Sequence, residues 1–253
     1  KGGVGKTTTT ANLGTALAML GQRVVMVDAD IGLRNLDVVL GLENRIVYDL
    51  VDVVDGFCRL NQALIKDKRT EGLYLLPAAQ TKDKTAVTPE QMRKLAQELR
   101  QEFDFVLVDS PAGIEQGFKN AIAGADQAII VTTPEVSAVR DADRIIGLLE
   151  AERMYRPTLV INRLRPNMVR RGDMMDIDDV VDILAIPLLG VVPEDESIVV
   201  STNRGEPAVY NQRSLAGNAF RDIARRMLGE DVPLGALEHE RGFFQRLRNM
   251  FSR

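Results

Sequence analysis

Short apolar, β-branched runs alternate with longer amphipathic stretches along the chain. The runs "RVVMVD" (23–28), "LYLLPA" (73–78), "FDFVLVD" (103–109), "QAIIVTT" (127–133), "TLVIN" (158–162) and "PLLGVV" (187–192) are strand-sized. Most are nearly continuously apolar, as strands buried on both faces of a parallel sheet must be. Helical periodicity fills the intervals. One helix is predicted over 6–20, ended by Gly21; another over 89–102 opens with Thr88 as N-cap, Pro89 in the first helical position and Gln91 three residues after the cap. Strand and helix repeated in this way predict a doubly wound, mainly parallel α/β sheet with helices on both faces.

Ligands of such sheets bind beyond the carboxyl ends of the strands. The chain places acids there: "VVMVDAD" ends in Asp28 and Asp30, and "FVLVDSPAG" carries Asp109. The chain opens on "KGGVGKTTTT", a glycine loop running into the first predicted helix. Gly2, Gly3, Val4 and Gly5 form a loop whose backbone N–H groups can turn towards phosphates. Lys6 would reach the outer phosphates, Thr7 would ligate Mg²⁺ and Thr8 would meet the α-phosphate of ATP. Asp109 is the second carboxylate expected on the metal. Asp30, two residues beyond its strand in a polar loop, is the candidate for positioning the attacking water; the alternative is that it caps a short helix starting near Leu33. The loop also carries a second lysine, Lys1, that a phosphate loop does not require.

Composition narrows the classes. The 253 residues are 45% hydrophobic and 27% charged, ordinary for a globular chain. With one cysteine, Cys58, and one histidine there is no internal disulfide and no Cys/His metal cluster, so a reducing compartment is expected. No apolar run approaches a membrane span. The net charge of −4 gives no general affinity for nucleic acid. Residues 241–253, however, hold four arginines and no acid, so an acidic body carries a basic tail. Domain limits follow: a nucleotide-binding body over 1–228, a Gly/Pro-rich acidic linker over 229–240 and the tail over 241–253.

On a helix, Phe243, Phe244, Leu247, Met250 and Phe251 fall in one stripe flanked by Arg246 and Arg253 on one side and Arg248 on the other. Apolar anchors bordered by cations suit an in-plane helix on an anionic membrane. Each arginine contributes about 1 kcal/mol there and each buried large side chain roughly 1.5–3 kcal/mol, against about 1–2 kcal/mol per residue for ordering. One tail is therefore a weak anchor. Two tails on a dimer gain avidity of roughly 10²–10⁴.

The loop resembles the deviant Walker-A motif of the partition and division-site ATPases, the ParA/MinD P-loop family. The stretches "DIGLRNLDVVLG", "NQALIKDKRTEGLYLLPAAQTKDK", "DSPAGIE", "PEVSAVRDADRI", "RGDMM" and "GVVPEDESI" extend the resemblance to the septum-site-determining branch across nearly all of the chain. The resemblance implies a homodimer that sandwiches ATP, with Lys1 reaching phosphates in the opposite subunit. It implies that Asn162 reads adenine, with Pro193 and Glu194 against the base. It implies recruitment of the division inhibitor MinC and, where present, the activator MinE at Glu135, Ser137, Arg140, Asp141 and Asp143. It further implies a cytoplasmic protein held peripherally on the inner membrane face, or a stromal one in a plastid. The family fold expects a strand before the glycine loop, in the middle of the sheet, where this chain has none. A DNA-partition ATPase of the same fold is the alternative, with the arginine-rich "RLRPNMVRR" (163–171) as its contact surface.

Overall fold

The computed structural model describes residues 2–154 and 156–234. The chain alternates helix and strand: α1 Lys6–Met19, β1 Val24–Asp28, α2 Leu36–Val39, α3 Leu50–Val54, α4 Leu60–Ala63, β2 Ile65–Lys66, β3 Leu73–Leu76, α5 Pro89–Leu99, β4 Phe105–Asp109, α6 Gln116–Ile122 and β5 Ile129–Thr132. It continues through α7 Val136–Ala151, β6 Thr158–Leu164, α8 Pro166–Arg170, α9 Ile177–Leu184, β7 Leu188–Pro193, α10 Ser197–Asn203 and α11 Leu215–Met227. All six predicted strands form. The predicted start of α5 holds as well: Gln91 N donates to Thr88 Oγ1 at 3.3 Å, and Thr88 N donates back to Gln91 Oε1 at 2.9 Å.

Burial on both faces follows from strand alternation. Val24 and Met26 of β1 enter a core shared with Leu13 and Leu17 of α1 and Phe220 of α11. Val25 and Val27 enter a second core with Leu50 of α3 and Leu95 of α5. A third core joins Leu159 and Ile161 of β6 to α7 and α9. Helix α1 lies so close on β1 that a Cβ at Gly14 would meet Met26 Sδ at 2.5 Å.

The expected single sheet is split in two. Strands run β2-β3-β1-β4 in one sheet and β5-β6-β7 in the other, parallel except for the β2–β3 pair. Among the edge strands β2, β4, β5 and β7, β4 and β5 both line a cavity of about 610 Å³ together with Leu13 of α1 and Ile145 of α7. Residues 105–108 of β4 are accordingly half-buried, whereas every residue of β1 is buried. The break falls between β4 and β5, which are not paired with one another. Both halves are stitched by the core around α1 and α11, which takes in Met26 from one sheet and Val160 and Val192 from the other.

Candidate functional site

The glycine loop stands at the start of α1. Gly3 and Gly5 have φ of +85° and +96°, and Gly5 is the left-handed N-cap of the helix. A side chain at either position would be strained. No side chain among the described residues caps the first turn, so its amides have no side-chain acceptor. Val4 is buried, Gly2 and Gly3 are exposed, and Lys6, Thr7 and Thr8 are half-buried in the opening turn. Lys1 lies outside the described residues.

Asp109 ends β4 and is 2% exposed. Burial pushes its carboxyl up to about 7, and the neighbouring Asp28 adds to the rise, while hydrogen bonds from Thr7 and Thr10 and the charge of Lys6 oppose it. Thr10 Oγ1 donates to Asp109 Oδ1 at 3.4 Å. A desolvated carboxylate whose raised carboxyl is not offset by Lys6 is short of positive charge, and the oxygen donors there, Thr7 and Asp109 itself, suit a hard cation such as Mg²⁺. Thr7 and Asp109 therefore fit the metal role assigned from the sequence.

Asp28, at the end of β1, is 1% exposed. Its Oδ1 accepts from Asp30 N at 2.9 Å, and its Oδ2 accepts from Asn35 N and Leu36 N, each at 3.1 Å. Desolvation nevertheless leaves its carboxyl raised. These three bonds tie the whole 29–36 loop to the strand. The helix expected near Leu33 begins at Leu36, and the carboxylate that meets its first amides is Asp28, not Asp30. Asp30 stays half-buried in the loop.

At the other end of the site, Asn162 lies in β6 and is 6% exposed. Its Nδ2 donates to the Val4 carbonyl at 2.9 Å, and its Oδ1 accepts from Arg163 N at 3.0 Å. Pro193 closes β7 opposite Leu164. Glu194 N donates to the Leu164 carbonyl at 2.9 Å, and the Glu194 carboxylate pairs with Arg165 at 3.3 Å. Asn162, Pro193 and Glu194 thus share the ends of neighbouring strands. Just beyond them, Asp195 accepts from Ser197 N at 2.8 Å, Ser214 Oγ at 2.8 Å and Ala216 N at 3.0 Å, which anchors this loop to the start of α11.

Glu135 precedes α7, and Ser137, Arg140, Asp141 and Asp143 lie on it; all five are exposed, while Ala138, Val139 and Ala142 of the same helix are buried. The anchor residues Phe243, Phe244, Arg246, Leu247, Arg248, Met250 and Phe251 lie outside the described residues. The sequence reading passed over Thr10, and it marked Asp28 as a strand-end acid but not as the acceptor that holds the following loop. Thr10 sits one helical turn after Lys6, a spacing that puts both on one face of α1; for the clamp made by Asp28 there was no local signal, because its partners are loop amides.

Residues 1–208 match the CobQ/CobB/MinD/ParA nucleotide binding domain. The chain is 61% identical over 254 residues to the septum site-determining protein MinD of Bacillus subtilis (strain 168), covering 99% of this chain and 95% of the relative. The MinC:MinD cell division protein complex of Aquifex aeolicus matches with a TM-score of 0.87 and 51% identity, over 92% of this chain and 95% of the other. The septum site-determining protein MinD of Pyrococcus horikoshii OT3, complexed with Mg-ADP, matches with a TM-score of 0.81 and 33% identity, over 90% and 92%. With its glycine loop, its strand-end carboxylates and these relatives, the chain belongs to the CobQ/CobB/MinD/ParA nucleotide-binding family of P-loop ATPases, in the septum site-determining MinD group.

Proposed function

We propose that the chain is an ATP-dependent, dimerising ATPase that binds membrane and positions the division site by bringing a division inhibitor to that membrane. The observation that carries this reading is the uncapped first turn of α1 with Lys6 beside the buried Asp109 carboxylate. Loop amides and Lys6 hold the β- and γ-phosphates, and Thr8 meets the α-phosphate. Thr7 and Asp109 hold Mg²⁺, which when bound neutralises charge developing on the transferred phosphoryl group. Asp30 orients the attacking water in a slow, switch-like hydrolysis. Asn162, Pro193 and Glu194 receive the base. Lys1 compensates phosphate charge in the opposite subunit, so ATP favours the dimer and its hydrolysis releases it.

The dimer brings two weak tails to one surface, which makes ATP the control on membrane residence. The chain attaches peripherally, as a cytoplasmic or stromal protein; no helix among the described residues is long and apolar enough to cross a membrane. A MinC partnership is supported by the A. aeolicus relative seen with MinC, and the exposed polar face of α7 is the surface assigned to it. MinE, where a cell has it, uses overlapping ground. The DNA-partition reading is disfavoured by the 163–171 run itself, where Arg165 and Arg171 pair with Glu194 and Asp173.

The test combines solution mass with co-sedimentation on anionic phosphatidylglycerol vesicles. ATP shifts the wild type from monomer to dimer and onto vesicles; Lys1→Ala stays monomeric and unbound. A Lys1→Ala monomer loaded with ATP that binds vesicles as firmly as the wild-type dimer would overturn the reading, as would recruitment of the wild type by duplex DNA instead of lipid.

A further inference from the structure

Asn162 joins the two ends of the nucleotide site. It belongs to β6, in the β5-β6-β7 sheet, yet its side-chain N–H is donated at 2.9 Å to the carbonyl of Val4, 158 residues earlier and two residues before α1. The contact is tight: a Cβ on Gly5 would come within 2.3 Å of Asn162 Nδ2. On its other side the amide is fixed by Arg163 N, at a residue held in the left-handed region with φ of +57°. A primary amide offers two N–H donors and two lone pairs. One donor and one lone pair are used by the protein, and one of each is left for a base.

A trans peptide is planar, with its C=O and N–H pointing in opposite directions. Pinning the Val4 carbonyl towards Asn162 therefore aims the Gly5 N–H away from it. Without the pin, the Val4–Gly5 peptide between two glycine-rich flanks is free to rotate, turning a carbonyl dipole to where a phosphate oxygen needs a donor.

We propose that Asn162 is a positioning residue for the phosphate loop, orienting the Val4–Gly5 peptide through its side-chain amide. The role rests on the nucleotide site proposed above, and it is separable from base reading because a latch on the loop acts on phosphate alone.

Inorganic tripolyphosphate with Mg²⁺, which has no base, separates the two. Calorimetric titration of the full chain is expected to show Asn162→Ala binding this probe roughly five- to tenfold more weakly than wild type, the size of one lost hydrogen bond. ATP and GTP should each weaken by at least that factor, with the melting midpoint near that of the wild type. Asn162→Ser, a smaller change to the core, repeats the measurement should Asn162→Ala melt early. Binding of tripolyphosphate within twofold of wild type in a folded variant, with ATP alone weakened, would overturn the latch and leave the nucleotide site standing. A wild-type chain that binds neither ATP nor tripolyphosphate would overturn the site, and the latch with it.

Discussion

Asp28 and Asp109 are register partners at the carboxyl ends of β1 and β4, and both are almost wholly buried. Two neighbouring carboxylates in such a place must be kept apart in role. Asp28 is satisfied by three backbone N–H groups of the loop that follows it, whereas Asp109 is met by the hydroxyls of Thr7 and Thr10 and the charge of Lys6. One carboxylate organises the loop that follows β1; the other faces the first turn of α1.

Replacing Asp28 by Ala leaves the amides of Asp30, Asn35 and Leu36 without their acceptor. A stability loss of about 2 kcal/mol is expected in urea unfolding, together with a phosphate-release rate at least tenfold down because Asp30 loses its fixed backbone. Asp28→Asn, which keeps one carbonyl acceptor, should lose less of both.

Asp30→Ala should bind ATP within about threefold of wild type while hydrolysis falls on the order of 10²-fold, the contribution of one water-positioning carboxylate. Nucleotide binding and phosphate release measured on the same preparation decide it; an unchanged hydrolysis rate removes Asp30 from the reaction.

Arg69 locks the β2–β3 turn to two distant segments. It pairs with Asp67 at 2.8 Å, donates to the Gly205 carbonyl at 2.8 Å and to the Leu40 carbonyl, and lies over the Tyr210 ring at 5.5 Å. Burial alone would raise the Asp67 carboxyl, but the hydrogen bonds and charge of Arg69 outweigh it and hold the group below the usual carboxylate range. Arg69→Ala leaves that buried acid only the amides of residues 69 and 70 and should cost about 2–3 kcal/mol in chemical denaturation. Arg69→Lys recovers the charge but not the fork, and should fall between.

Asp195 sets a pH dependence. Burial disfavours its ionised form, yet the amides of Ala216 and Ser197 and the hydroxyls of Ser197 and Ser214 prevail and hold its carboxyl down to about 2, from 3.8. The unfolded chain therefore takes up this proton first as pH falls. The resulting stability is fully present above about pH 4 and is lost as pH drops towards 2. Asp195→Asn should be about 1–2 kcal/mol less stable than wild type at pH 7 and should close that gap by pH 2, as followed by thermal melts across the range.

Local signals in the sequence were enough for the elements and for the form of the glycine loop. Apolar runs of strand length, the Thr88–Gln91 capping pair and the glycines ahead of Lys6 each act through neighbours a few residues away, so their outcome is written into short stretches. The strand-end acids Asp28 and Asp109 were legible for the same reason, since strand ends are where an α/β sheet gathers its ligands. The two-residue strand β2 escaped notice because it has too few positions to show a period.

What tertiary structure decided are relations between residues far apart in the chain. The strand order within each sheet, with β1 between β3 and β4 and β6 between β5 and β7, depends on which strands find partners across the core, and no single run of residues encodes that. The Asp28 clamp, the hold of Arg69 on Leu40 and Gly205, and the bond from Asn162 to Val4 join groups whose meeting requires the whole packed core. Sequence determined which side chains are the candidates for the chemistry, because residue type and local spacing name them; the fold decided how they are held, because a hydrogen bond exists only once packing has brought donor and acceptor within 3 Å or so of one another.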